Sequence, residues 1–469
     1  MANPLYDALF APLVERTSRL LILADGTEIS GAAFHTLLAR AAAGLRAAGV
    51  VKGDRVAVQV GKSPEALAIY GATVALGAVF LPLNPAYTSA EVAYFLGDAE
   101  PRLFVCDGAQ VAAGVQVRTL AQVLAATGDF AAVDCGRDDL AAILYTSGTT
   151  GRSKGAMLTQ RNLLSNAQAL VDLWRFTPTD VLLHALPIFH THGLFVASNV
   201  ALLSGGAMIF LAGFEVAAVL RALPQASVMM GVPTFYTRLL GEAGFDRALV
   251  GHMRLFVSGS APLLAETHRA FEARTGHRIL ERYGMTETNM NTSNPYDGER
   301  RAGTVGQALP GVEMRIAAGG IEVRGPNVFA GYWRMPDKTA EDLRPDGWFV
   351  TGDLGEIDAD GYLTISGRAK DLIITGGYNV YPREVELALD AVPGVVESAV
   401  IGLPHADYGE AVFAVLVGGD VEVALAAIAG GLARYKQPKA AVVVAELPRN
   451  AMGKVQKAVL RERYKGWFG

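Results

Sequence analysis

From residue 55 onward the chain alternates short apolar runs with segments of helical period, and this rhythm narrows the folds open to it. Residues 55–60 (Arg-Val-Ala-Val-Gln-Val) read as a strand, and residues 63–76 as a helix with Ser63 as N-cap and Pro64 in the first turn. Residues 78–83 read as a strand, 89–96 as a helix and 102–106 as a further strand. Strands separated by helices of this length build βαβ units and hence parallel sheets. The same rhythm returns at residues 227–231 and 253–258.

After Pro310 the texture changes. Residues 311–324 and 348–365 are strand-rich with frequent Gly and Asp turns, which predicts a β subdomain. A βα-type unit follows, with a helix at 382–390 and strands at 395–401 and 411–417. The short polar stretch Gly367-Arg-Ala-Lys-Asp371 is the natural break. The expected class is α/β. A large N-terminal domain (1–367) has mostly parallel sheets flanked by helices plus the β subdomain. A hinge at 368–371 leads to a small, mobile α+β C-terminal domain (372–469).

Composition excludes several classes. Of 469 residues, 51% are hydrophobic and 19% charged, which rules out a disordered or fibrous chain. A formal net charge of −5 does not suggest a nucleic-acid binder. Cys106 and Cys135 are the only cysteines, too few for a disulfide framework. Residues 181–214 carry no Asp, Glu, Lys or Arg, yet His184, Pro187, His190, His192, Asn199 and Gly205-Gly206 interrupt them. They read as strand, loop, buried helix, turn and strand rather than a membrane span. The N-terminus lacks the pattern of a signal peptide, so a soluble, cytoplasmic protein without a membrane partner is expected.

The chemistry concentrates first in Tyr145-Thr-Ser-Gly-Thr-Thr-Gly-Arg-Ser-Lys-Gly155, directly after an apolar run. Small hydroxylated residues and glycines let backbone N–H groups approach a polyphosphate, and Lys154 adds a charge. The spacing is not that of a Walker A motif. A plain Gly/Ser/Thr surface loop is the bland alternative.

This segment resembles the phosphate loop of the adenylate-forming superfamily of acyl-CoA synthetases, peptide-synthetase adenylation domains and luciferases. Four further segments match in order: Arg282-Tyr-Gly-Met-Thr-Glu287, Trp348-Phe-Val-Thr-Gly-Asp353, Gly367-Arg-Ala-Lys-Asp371 with Gly376-Gly377, and Pro448-Arg-Asn-Ala-Met-Gly-Lys454. Within the superfamily the chain is most similar to malonyl-CoA synthetases. That likeness rests on His190-Thr-His-Gly193, Gly231-Val-Pro-Thr-Phe-Tyr-Thr-Arg238, Ser258-Gly-Ser260 and the run from Glu281 to Thr292. Only Ala-Ala-Gly-Gly separates Ile316 from Ile321, where relatives carry a longer hairpin.

The resemblance implies two half-reactions. A carboxylate attacks the α-phosphorus of ATP, and the coenzyme A thiol then attacks the acyl-adenylate. It assigns the nucleotide to Thr146, Ser147, Gly148, Thr149, Thr150, Gly151, Lys154, Ser260, Ala261, Pro262, Glu281, Arg282, Tyr283, Gly284, Asp353 and Arg368. Glu287 is expected to hold Mg²⁺, which prefers hard oxygen ligands. Thr286 is expected to touch the α-phosphate, although a Thr-Glu pair after Gly also suits a helix N-cap. Asp353 is expected at the ribose hydroxyls with Arg368 beside it, the alternative being a turn Asp.

Lys454 is assigned to the substrate carboxylate and α-phosphate, with an exposed tail lysine as the alternative. Its context also resembles that of acetylated lysines, which makes a lysine acetyltransferase an expected partner. Residues 434–469 hold nine Lys or Arg against two Glu, either a solvated face or a meeting place for coenzyme A phosphates. Lys370 is the expected hinge, and Gly376 and Gly377 the thin strand beside the thiol path, unless they form a plain β-turn.

Two arginines suggest which acid is activated. Arg238 and Arg282 stand in segments that border the acyl pocket in relatives. A buried, unpaired guanidinium costs several kcal/mol, on the order of a lost ion-pair partner, and a second substrate carboxylate would relieve it. Malonate fits, and methylmalonate by the same logic. Ser260 and His190 would complete the pocket, and Met290 would wall it. The alternative pairs Arg238 with Glu242 and Arg282 with Glu281 or another carboxylate. His190 and His192, two apart with no third ligand in sequence, make a poor zinc site. A synthetase for another short-chain acid and an enzyme loading a carrier protein are the competing functions, with a luciferase-like oxygenase or a non-catalytic nucleotide binder behind them.

Overall fold

The computed structural model describes residues 2–108, 114–128, 130–146, 153–450 and 453–468. The chain packs as two compact units. One comprises Met1–Glu313 with Val323–Phe349, the other Met314–Glu322 with Val350–Gly469. Packing therefore groups Asp353 and Arg368 with the C-terminal residues, whereas the sequence pattern sets the break after residue 367.

In the first unit the expected βαβ rhythm is present. The strands Arg55–Gln59, Val79–Pro82 and Leu103–Cys106 are parallel neighbours, joined through the helices Pro64–Ala75 and Ser89–Ala99. Ser63 caps the first helix, accepting a 3.2 Å bond from the Ala66 amide. Thr88 and Glu91 close a reciprocal capping box on the second. The sheet ends with Leu140–Thr146, which pairs antiparallel with Lys154–Thr159. The expected phosphate loop thus joins two strands of a hairpin.

A second sheet supplies the rest of the frame. Val181–His184, Val228–Gly231, Leu255–Ser258 and Leu280–Met285 run parallel, with Met230 beside His184, Gly231 beside Ser258, and Ser258 beside Glu281. This register brings the carboxyl ends of four strands to one edge, where open α/β sheets bind ligands. Phe256, Phe271, Met229 and Tyr236 fill one face, and the Tyr236 hydroxyl donates to the Val257 carbonyl at 2.6 Å. Residues 181–214 form strand, helix and strand as expected, but the helix opens with a π-helical segment, His192–Ser198, before Asn199–Leu203. Among the described residues no helix is long and apolar enough to cross a membrane.

The segment after Gly284 is not a helix start. Leu280–Met285 turns back into Asn289–Ser293 as an antiparallel hairpin, so Thr286 and Glu287 lie in its turn. Asn289 takes φ +50, and the strands approach so closely that a Cβ on Gly284 would lie 1.8 Å from the Asn289 carbonyl oxygen. Only glycine fits there.

In the second unit, Phe349–Ile357 pairs with Leu363–Arg368, and Asp353 stands mid-strand opposite Arg368 rather than at a strand end. The helix Pro382–Asp390 falls where the sequence places it. Ile373–Thr375 and Tyr378–Val380 form a hairpin whose turn is Gly376-Gly377, with φ +57 and +83. The short connection after Arg315 is a tight hairpin turn through Ala318 and Gly319, both at positive φ.

Gly284→Ala is expected to lower unfolding free energy by about 1–3 kcal/mol through overpacking. Because that hairpin carries Thr286 and Glu287, ATP–pyrophosphate exchange should fall well beyond what the thermal melt explains. Wild-type values in both measurements would mean that the strands part without consequence.

Candidate active site

The edge of the second sheet gathers an unusual set of buried polar groups. Arg282 is 3% exposed, and its Nε and Nη2 have no hydrogen-bond partner. Burial pushes its pKa down to about 9, so it remains a cation at neutral pH. Among the described residues, neither Glu281, its strand neighbour, nor any other carboxylate pairs with it. Its guanidinium lies on the backbone of Gly259, where a Cβ would meet Cζ at 2.4 Å. Ser260 follows in the left-handed region, φ +72, and its hydroxyl lies 3.1 Å from His192 Nδ1. His192 is 1% exposed, and its Nε2 lacks a partner, as do the Thr191 and Ser258 hydroxyls. Burial, then the Arg282 charge, holds the His192 pKa well below its ordinary value, so the ring is neutral. A buried cation among orphaned polar groups is arranged to receive an anion.

The other expected acyl-site residues are placed as follows. Met290 is buried, and its methyl group lies against Gly284, where an added Cβ would sit 2.6 Å from it. His190 is half-buried, so it is His192 that meets Ser260. Arg238 is exposed on the helix Pro233–Leu240. It is not a buried guanidinium, because that helix turns Tyr236 and Leu239 inward and 238 outward. Nor does an ion pair join it to Glu242 among the described residues.

A second cluster surrounds Glu287, which is 6% exposed. The Tyr332 hydroxyl donates to Glu287 Oε1 at 3.0 Å and lies 3.2 Å from Asp342 Oδ2. Burial, with Glu287 and Asp342, raises the Tyr332 pKa, so the phenol keeps its proton. Lys154 Nζ lies 3.7 Å from Asp342 Oδ2 and 4.1 Å from the Tyr332 ring centroid, and Lys338 holds the other Asp342 oxygen at 2.9 Å. Tyr332, Lys338 and Asp342 fall in none of the sequence motifs; the Lys338/Asp342 spacing of four was the only local signal. One buried carboxylate, completed by phosphate oxygens, suits Mg²⁺, so Glu287 fits that ligand. Among the described residues no group of three or more His, Cys, Asp or Glu could hold a metal ion.

Of the remaining nucleotide candidates in this unit, Thr146, Gly284 and Thr286 are half-buried, Glu281 and Tyr283 buried, Ala261 half-buried and Pro262 exposed. Ser147, Gly148, Thr149, Thr150 and Gly151 lie outside the described residues.

In the second unit, Asp353 is 3% exposed and Arg368 Nε meets its Oδ1 at 2.6 Å. Lys454 has an exposed side chain in a tight turn closed by the Arg449–Val455 bridge. Its pKa is nevertheless lowered, by the surrounding protein first and then by Arg368, against the pull of Asp353 and Asp371. Burial first, with Arg368, Lys454 and Arg461, brings Lys370 down to about 8 despite Asp371. Arg368, Lys370 and Lys454 thus share one neighbourhood, with Asp353 beside Arg368 and Lys454.

The sequence of residues 13–333 matches the AMP-binding enzyme family, and 384–454 match the AMP-binding enzyme C-terminal domain. The chain belongs to the AMP-binding enzyme family. Among solved AMP-binding enzymes, ATP-bound MatB from Rhodopseudomonas palustris is 55% identical with a TM-score of 0.97, covering 100% of both chains. The malonate–CoA ligase of Arabidopsis thaliana is 35% identical over 477 residues, spanning 88% of this chain and 78% of that one. The sulfoacetate–CoA ligase of Cupriavidus necator is 38% identical over 452 residues, 88% of each.

Tyr332→Phe removes the hydroxyl that joins Glu287 to Asp342. Loss of a hydrogen bond to a charged group is worth about 1.5–3 kcal/mol, so kcat/KM for Mg·ATP should fall roughly 10- to 100-fold. The required Mg²⁺ concentration should rise with it. A variant with unchanged ATP kinetics across a magnesium titration would show that the link is incidental.

Proposed function

We propose that this chain is a malonate–CoA ligase, an AMP-forming acid–thiol ligase. One malonate carboxylate oxygen attacks the α-phosphorus of ATP, and the bond to the bridging oxygen breaks, so pyrophosphate leaves. The coenzyme A thiol then attacks the adenylate carbonyl, loses its proton and displaces AMP. Nucleotidyl transfer of this kind rests on positioning and charge neutralisation. Mg²⁺ on ATP supplies part of that neutralisation when bound, and Glu287 would hold it.

The observation that carries the substrate assignment is the buried Arg282 cation without a carboxylate. The carboxylate of malonate that does not react would accept from it, with Ser260 and His192 beside it. A monocarboxylic acid would leave that charge unpaired. The names of relatives acting on malonate and sulfoacetate, both short acids with a second anionic end, support the same reading. Methylmalonate keeps the second carboxylate and is included. Arg238, exposed on the outer face of its helix, is assigned a lesser part, and His190 and Thr286 are assigned to the reacting carboxylate and α-phosphate.

The remaining roles follow the chemistry of each group. The loop 146–151 and Lys154 take the phosphates, Ser260 to Pro262 and Glu281 to Gly284 the base side, and Asp353 the ribose, with Arg368 holding its carboxylate. Lys454 supplies the charge for adenylation. Residues 368–371 are the pivot between 1–367 and 372–469, Lys370 lies at that pivot, and Gly376-Gly377 serves the thiol step. A cytoplasmic location, where ATP and coenzyme A are at hand, goes with this reading. So does regulation by a lysine acetyltransferase acting on Lys454.

Arg282→Ala is expected to lower kcat/KM for malonate by about 2–5 kcal/mol, roughly 30- to several-thousand-fold, with ATP binding little changed. Arg238→Ala should cost less, and butyrate should gain on malonate. If neither substitution shifts the malonate-to-butyrate ratio, the assignment reduces to a short-chain acyl-CoA ligase.

Lys454→Ala, and protein acetylated stoichiometrically at Lys454, should both lose pyrophosphate exchange while still converting supplied malonyl-adenylate to malonyl-CoA. Loss of both half-reactions, or full activity after acetylation, would refute this division of labour.

A further inference from the structure

One buried lysine has no role in the scheme above. Lys62 follows the strand Arg55–Gln59 and precedes the helix cap Ser63. Among the described residues its ammonium is paired with no carboxylate. It donates to the His184 carbonyl at 2.7 Å, meets His184 Nδ1 at 2.9 Å, and stands 4.3 Å from the Phe210 ring centroid. These two residues are 122 positions apart in sequence. The contact therefore ties the first sheet's strand end to the second sheet.

His184 is fully buried, and its other nitrogen, Nε2, lies 2.9 Å from the Gly193 carbonyl and 3.1 Å from the Ser198 hydroxyl. A carbonyl only accepts, so Nε2 carries the proton. Nδ1 then holds the lone pair that receives a Lys62 N–H. Both ends of the ring thus demand the same tautomer, the Gly193 carbonyl by accepting from Nε2 and Lys62 by donating to Nδ1. The Gly193 carbonyl that takes this proton also accepts from the Ser198 hydroxyl at 2.9 Å. It belongs to the π-helical segment His192–Ser198, an energetically unusual turn that accumulates at functional sites. Gly193 itself is pressed so near Pro187 that a Cβ would sit 1.9 Å from its carbonyl oxygen. The residue before it, His192, is the one whose ring meets Ser260 beside Arg282.

We infer that Lys62 and His184 are positioning residues for the acid pocket: Lys62 anchors the His184 ring through Nδ1, His184 pins the Gly193 carbonyl of the π-turn, and the turn aims His192 and Thr191 at the anion held by Arg282. Neither residue touches substrate in this arrangement. The inference rests on the reading that this pocket receives the second carboxylate, and it names what holds that pocket in shape.

The test uses the full-length protein and malonate itself. Nitrogen-15 spectra of the wild type should show His184 as a neutral ring protonated at Nε2 alone. Lys62→Met should leave that proton on Nε2 but shift the Nδ1 resonance, because its lone pair loses the Lys62 donor. In the same variant KM for malonate should rise by about an order of magnitude, the loss of one hydrogen bond to a charged group, while KM for ATP stays within about twofold. Lys62→Arg, which keeps donors at that end, should recover part of the loss. A wild-type ring protonated at Nδ1, or a Lys62→Met variant with unchanged malonate KM, overturns the inference. So does a parallel rise in both KM values, which would make Lys62 merely structural. Should Lys62→Met fail to fold, the wild-type spectrum and Lys62→Arg still decide the matter. Arg282→Ala separates the two readings. If it leaves the malonate-to-butyrate ratio unchanged while Lys62→Met moves the spectrum and malonate KM, the pocket's ligand is misassigned but the relay stands.

Discussion

A guanidinium buried with no carboxylate partner among the described residues is the constraint around which the first unit is arranged. Taking a cation out of water is unfavourable by several kcal/mol, on the order of the cost of breaking a buried ion pair. Arg282 bears this with a pKa still about 9, so it does not escape by losing its proton. Its neighbours are neutral and small. Gly259 lets the guanidinium lie on bare backbone, Ser260 is held at positive φ, and His192 is kept uncharged. A carboxylate built into the protein would have relieved the charge and closed the pocket. In the proposed reading, its omission leaves the stabilisation to be supplied by substrate, which makes charge on the substrate a condition of tight binding rather than an addition to it.

The phosphate end follows the opposite logic. There the protein supplies its own counter-charges, with Lys154 and Lys338 around Asp342, and Tyr332 sharing its proton between Asp342 and Glu287. ATP arrives as an anion with its own cation, so carboxylates and lysines must both be present and both be releasable. Half-buried ion pairs of this sort contribute little to folding and can be exchanged for ligand contacts. In the second unit, Asp353 is already engaged by Arg368, while Lys370 and Lys454 are held below their ordinary proton affinity by desolvation from the surrounding protein and by neighbouring cations. A lysine destabilised in this way gains when an anion comes near it, and acetylation would remove that gain altogether.

Much of the fold was legible because its signals are local. The helix Pro382–Asp390 and the capped helix Pro64–Ala75 come from period and capping residues within a dozen positions. The alternation of strands and helices, and with it the parallel sheets, follows from the same short-range pattern. The candidate site was legible as a set of residue types in ordered motifs, and Glu287, Asp353 and Arg282 are all buried in the folded chain. The pattern was weaker wherever a local reading was ambiguous. Thr286-Glu287 suits a helix cap by composition, but pairing of Leu280–Met285 with Asn289–Ser293 makes it a hairpin turn. Asp353 looks like a strand end until Leu363–Arg368 is laid beside it.

What the sequence by itself determined was the order of elements, the superfamily chemistry and two arginines in the segments that the resemblance places beside the acid. Which arginine is buried, which histidine meets Ser260, and that Lys62 reaches His184 were decided only by tertiary structure. Arg238 and Arg282 are equivalent as letters. They part company because one is carried on the outer face of a helix and the other lies inside a paired strand. The physical reason is one of range. Periodicity, capping and glycine turns act through neighbours in the chain, whereas desolvation and hydrogen-bond partnership depend on groups a hundred residues away that only sheet register brings within 3 Å, as it does for Lys62 and His184.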